Sequence, residues 1–161
     1  MSAGRFWLAA VPALWLAAAL QETVAPRWAV AGVPPDFLLA TLAALALLGE
    51  RKEGTLAGFA AGALRGALAG ANLAAYAISR TLLGFLLGWV RFAGLVPNAP
   101  VAGLSAAVGT LFAQGLVMVS AHRGPVLPFL GGTLLTAVIN GVLAMLLYAL
   151  LRRAIDPQSD R

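Results

Sequence analysis

Apolar residues run along this chain in six blocks, set apart by polar or Pro- and Gly-containing breaks. The blocks are Phe6–Leu20, Phe37–Leu48, Leu56–Leu73, Ala74–Val90, Val101–Ala121 and Leu127–Leu151. The breaks are Gln21–Asp36 with Pro26, Pro34 and Pro35, then Gly49–Gly54, the Asn72–Tyr76 region, Arg91–Pro100 and His122–Leu127. Each block predicts a helix. The first follows a single Arg, as a signal peptide would, but Gln21-Glu22-Thr23 succeeds it in place of a small-residue cleavage site. It therefore reads as a retained first span.

The second block is the short one. Between Asp36 and Gly49 lie about 12 apolar residues, roughly 18 Å of helix, against a hydrocarbon core of about 30 Å. Such a segment must extend through its flanking turns or lie amid other helices. Pro34-Pro35-Asp36 has the form of a helix start, since Pro is tolerated in the first turn and Asp there suits the helix dipole.

Composition turns these blocks into a membrane protein. The chain has 161 residues, 61% of them hydrophobic and 11% charged, with a mean hydropathy of +0.89. Soluble domains carry roughly a quarter charged residues, so a soluble globule is excluded. At about 20 residues per span there is space for six or seven spans at most, and none for a soluble catalytic domain. The expected fold is an all-α integral membrane protein, with about six transmembrane helices in one compact bundle. Residues 1–161 form a single transmembrane domain that ends in a polar cytoplasmic tail, 152–161.

Charge then orients the blocks. Eleven basic residues against six acidic give a net charge of +5. They are spread along the chain at the ends of apolar segments, which is the layout of a topology signal rather than of a nucleic-acid surface. With six spans and the N-terminus inside, Arg5, Arg51, Lys52, Arg91, Arg152, Arg153 and Arg161 fall on the cytoplasmic side, and Arg27 and Arg123 outside. A five-span alternative, with the second block not crossing, exchanges Arg5 for Arg27 and scores equally. Both place the C-terminus inside. Six spans is preferred, because a segment lying on the membrane needs an amphipathic face and Phe37–Leu48 is apolar all round.

Several residues stand out against the apolar background. Gly58, Gly62, Gly66 and Gly70 recur every fourth position and form a stripe without side chains, which lets another helix approach closely. Gly84 and Gly88, and Ala9, Ala13 and Ala17, repeat the small-residue pattern. The stripe is either a packing seam within the chain or a groove for a partner helix, and in the second case Arg65 belongs to it. Arg65 and Arg80 lie inside apolar blocks, where a charge is costly unless it is paired, snorkels to the interface or lines a polar cavity. Asp36 is the one acid placed to reach membrane depth, so an Asp36–Arg80 pair is expected. Asn72, Gln114 and Asn140 are lone amides and read first as interhelical glue. His122 stands alone and reads as an interfacial turn residue. There is no cysteine, and no triad, carboxylate pair, metal set or phosphate loop appears. Neither a catalytic residue nor a cofactor is expected.

Leu20-Gln21-Glu22, followed by Gly32-Val33-Pro34-Pro35-Asp36-Phe37-Leu38-Leu39, resembles the start of the bacterial rod shape-determining MreD family. In that family a first span ending near Leu-Gln is followed by a second that opens on Pro-Asp and leucines. Gly54-Thr55-Leu56-Ala57-Gly58-Phe59-Ala60-Ala61-Gly62 is similar to its glycine-rich third span. Thr136-Ala137-Val138-Ile139-Asn140, running into Leu150-Leu151-Arg152-Arg153, resembles its closing helix. The resemblance covers about Leu16 to Arg153, and its specificity lies in the order of the motifs. One departure is clear: where the family often carries an acid after the third-span glycines, this chain has Arg65-Gly66. An acid supplied by another chain would complement it.

The resemblance implies a non-enzymatic inner-membrane scaffold of the elongation machinery. Such a protein binds MreC, a single-pass membrane protein, and through it the RodA glycosyltransferase, a class B penicillin-binding protein and MreB filaments. Membrane lipids are the remaining expected partner. It also implies a fold like the substrate-binding subunits of energy-coupling-factor transporters, six-span proteins of similar size. A vitamin-type binding subunit is therefore the alternative, with Ala9, Ala13 and Ala17 imitating the docking pattern of those proteins. Its site would need polar groups converging from outer loops, which here are short.

Overall fold

A computed structural model describes residues 3–70, 72–90, 94–121 and 126–155. Arg91, His122, Arg123 and the tail beyond Ile155 lie outside the described residues. Among those described there are six helices: α1 (Ala3–Thr23), α2 (Phe37–Leu48), α3 (Arg51–Ala69), α4 (Leu73–Leu87), α5 (Ala99–Ala121) and α6 (Val126–Ile155). No strand accompanies them, only an isolated Val30–Val33 bridge in the α1–α2 loop.

The helix ends differ from the apolar blocks where polar chemistry extends them. α3 begins at Arg51 rather than Leu56, because Glu50 and Glu53 form a capping box at its first turn. The Glu50 N–H donates to Glu53 Oε2 at 2.7 Å. Between α3 and α4 the chain reverses through two left-handed residues, Gly70 (φ 62°) and Asn72 (φ 56°). Gly adopts that conformation freely and Asn more readily than most residues.

α2 occupies the centre. All twelve of its residues are buried, and α1, α3, α4, α5 and α6 pack around it. This explains a helix that is short and apolar on every side: each face meets protein. The outer surface is apolar as well, with Leu8 78%, Val119 77%, Leu104 67% and Val138 65% exposed. Exposed apolar surface on this scale marks a face that meets hydrocarbon. α1, Ala99–Ser120 of α5 and Phe129–Ile155 of α6 are each long and apolar enough to cross a membrane. The chain is therefore a helical membrane protein.

Chain direction alternates from helix to helix. Gly49, just after α2, lies against the Phe6 ring near the start of α1. At the other end of that pair, Gln21 reaches the first residue of α2. The Tyr148 hydroxyl of α6 donates to the Pro97 carbonyl before α5 at 2.9 Å. Arg5, Arg51, Lys52, Arg152 and Arg153 consequently share one end of the structure, and Arg27 lies at the other.

The glycine stripe faces α4. A Cβ on Gly62 would sit 2.6 Å from Ala77 Cα, one on Gly66 2.6 Å from Leu73 Cα, and one on Gly54 2.8 Å from the Gly84 carbonyl oxygen. Gly58 abuts the Arg80 backbone in the same antiparallel register. Gly58, Gly62 and Gly66 thus pack against α4, which is the first of the two readings of the stripe, a seam within the chain. The tight reversal at Gly70–Asn72 folds α4 back onto α3, and α4 presents its own small residues there. Gly70 is not part of the seam. It ends α3, with no atom within 4 Å of where its Cβ would stand.

Replacing Gly62 by Val should destabilise the purified protein by about 1–3 kcal/mol or more, because backbone blocks the added carbons. Gly115→Ala, with open space around it, should be neutral or raise stability by up to about 1 kcal/mol. Thermal unfolding in detergent compares the two, and equal shifts would contradict the seam.

Candidate functional site: a buried polar knot at the start of α2

α2 begins inside the protein, where its first N–H groups have no water to bond. Unpaired donors there would cost several kcal/mol each in hydrocarbon-like surroundings. Side chains from distant helices supply the acceptors. The Phe37 N–H donates to Gln21 Oε1 of α1 at 2.8 Å, and the Asp36 N–H to Asn140 Oδ1 of α6 at 2.9 Å. Asp36 caps the helix itself, its Oδ1 accepting from the Leu39 N–H at 2.9 Å. Each amide also uses its other end: Gln21 Nε2 donates to the Pro35 carbonyl at 3.1 Å, and Asn140 Nδ2 to Thr110 Oγ1 of α5 at 3.0 Å.

The second Asp36 oxygen takes the charge partner. Arg80 of α4, 1% exposed, forms an ion pair through Nη2 with Asp36 Oδ2. The pair expected from sequence is present. Its guanidinium carbon lies 4.9 Å from the centre of the Tyr76 ring, and Ser79 is buried beside it. Arg65 approaches the same ring at 5.6 Å. The Nε of Arg80 and that of Arg65 are buried without a hydrogen-bond partner. Cation–π attraction to Tyr76 is the contact the structure gives Arg65.

Asp36, Arg80 and Asn140 are thus brought together. Asn72 and Gln114 are not: Asn72 is exposed in the α3–α4 reversal, and Gln114 is half-buried on α5. Gln21 and Thr110 join the knot without having been singled out from sequence. Gln21 had marked only the end of a span, and its signal was a lone amide facing a Pro-Pro-Asp helix start. Thr110 gave no signal, because threonine is common in apolar helices. There its hydroxyl also returns a bond to the Ala106 carbonyl at 2.7 Å.

Clefts open on the surface of the described residues, and two of them bear on the site. One, of 760 Å³, lies at the α2–α3 turn between Arg51, Lys52, Leu56 and Phe85. The other, of 490 Å³, is an apolar trough between α1 and α3 lined by Trp7, Trp15, Leu64 and Leu73. Neither includes Arg65, Arg80 or Asn72. No protein-family model, curated protein or solved structure matches the chain.

Arg80→Leu should cost about 3–5 kcal/mol, since it leaves the Asp36 carboxylate buried and unpaired. Adding Asp36→Asn should recover at least about 1 kcal/mol relative to the sum of the single changes. A cycle of denaturation free energies measures this, and strict additivity would mean that the two side chains do not act as a pair.

Proposed function

We propose that the chain is a non-enzymatic scaffold subunit of the bacterial rod-shape and elongation machinery, of the MreD kind. In this reading it resides in the cytoplasmic membrane with six spans and both termini on the cytoplasmic side. α2 crosses only within the shelter of the other five helices, and the basic end carrying Arg51, Lys52, Arg152 and Arg153 faces the cytoplasm. Its partner is an MreC-like single-pass protein, through which it meets RodA, a class B penicillin-binding protein and MreB.

One observation carries the reading. The resemblance rests on separate segments: the Leu20-Gln21 end of the first span, the Pro35-Asp36 start of the second and the Asn140 stretch of the last. Those segments meet in one hydrogen-bonded knot. Motifs scattered over more than a hundred positions thereby gain a common physical role, closing the start of the central helix. The same knot commits Asp36, Asn140 and Gln21 to one another rather than to a ligand. This favours a scaffold over a vitamin-binding subunit, which needs such groups free.

Affinity purification of the tagged chain from native membranes, followed by mass spectrometry, tests the proposal. An MreC-like single-pass protein is expected at near-equal amounts. Recovery of a pair of ATPases with a membrane coupling subunit would replace the scaffold with the transporter alternative.

A further inference from the structure

The cleft at the α2–α3 turn combines features that the polar knot does not use. Its rim carries two exposed cations, Arg51 and Lys52, and one exposed acid, Glu50. Glu50 and the neighbouring Glu53, whose Oε2 would lie 3.0 Å from a Cβ on the cleft-lining Gly49, accept backbone N–H groups at the first turn of α3 in its capping box. The Arg51 guanidinium is held over two aromatic rings, its carbon 5.5 Å from the centre of Phe85 and 4.9 Å from that of Trp89. These cation–π contacts hold the guanidinium without using up its N–H donors as hydrogen bonds to acceptor atoms would, and a guanidinium fork suits a phosphate. Packing fixes this arrangement from behind. Gly88 at the end of α4 lies so close to Arg51 that a Cβ there would stand 2.6 Å from Arg51 Cα.

Below the cations the cleft turns apolar. Leu56 and Phe85 line it, and both are part of the exposed apolar face that α3 and α4 share with Leu82 and Leu86. A ligand suited to this shape is negatively charged at one end and hydrocarbon at the other. We propose that the cleft binds an anionic phospholipid. The headgroup phosphodiester lies between Arg51 and Lys52, and an acyl chain runs down past Leu56 and Phe85. The position agrees, because this end of the structure also carries Arg5, Arg152 and Arg153, and basic pockets at that membrane face attract anionic headgroups. The inference rests on the chain being a membrane protein with its basic end at the cytoplasmic face, as proposed above, and is independent of the proposed scaffold role.

The test uses the full chain in neutral detergent, with Trp7, Trp15 and Trp28 replaced by Phe so that Trp89 is the single tryptophan and can be excited apart from the tyrosines. Phosphatidylglycerol or phosphatidylcholine with brominated acyl chains is titrated in, and Trp89 quenching is followed. Phosphatidylglycerol should quench at a mole fraction about tenfold lower than phosphatidylcholine, as expected for two cations facing one anionic group. Arg51→Gln/Lys52→Gln should bring the two lipids to within about twofold of each other. Lys52→Gln alone, an exposed change that leaves Arg51 against Phe85 and Trp89, should remove part of the preference. Equal quenching by both lipids in the parent, or a preference unchanged in the double variant, would overturn the proposal. So would displacement of the lipid by millimolar inorganic phosphate, which would make the cleft a site for free phosphate.

Discussion

A helix that starts inside a protein must satisfy its first N–H groups with side chains, and α2 is built around that requirement. All twelve of its residues and Asp36 before them are buried, so its N-terminus is not left to solvent. Gln21, Asp36 and Asn140 supply acceptors, Thr110 holds Asn140, and Arg80 balances the Asp36 charge. These residues come from α1, the start of α2, α4, α5 and α6. One local need thereby fixes where five helices stand relative to one another. In a low-dielectric interior a network of this kind is high-stakes: removing one member strands several others.

The third helix contributes by having no side chains. Its glycine stripe lets α4 approach to backbone contact, and Gly58 abuts the Arg80 backbone itself. The seam thus sets the depth at which Arg80 enters the interior. Packing of this closeness is the principal attraction between helices in lipid, where no hydrophobic force separates one apolar surface from another. Seam and knot are therefore coupled, one bringing α4 in by shape and the other anchoring it by charge.

Much of this was legible in the sequence because the bilayer imposes coarse rules. The six blocks map onto six helices, and of the two readings that the shortness of Phe37–Leu48 allowed, extension through its flanking turns or a place amid other helices, the structure has the second. Asp36 and Arg80 could be matched because a buried charge needs an opposite one and acids are scarce in this chain. The glycine stripe showed that something packs closely on α3 but not what. That depended on the Gly70–Asn72 reversal and on small residues facing it from α4. Gln21 and Thr110 were illegible for a different reason: a single amide or hydroxyl looks the same in sequence whether it meets a turn, a lipid headgroup or a buried helix end. The polar role of each appears only when the chain has brought its partner alongside.

One central helix and one polar knot close the interior of the protein. That claim is tested most directly by amide hydrogen exchange, measured residue by residue by NMR in lipid nanodiscs. The account predicts that the amides of Asp36, Phe37 and Leu39 exchange as slowly as those in the middle of α2, and that Gln21→Leu accelerates Phe37 selectively. Exchange at Phe37 as fast as in the exposed Arg27–Val30 turn would contradict it, and would mean that the start of α2 is open to water.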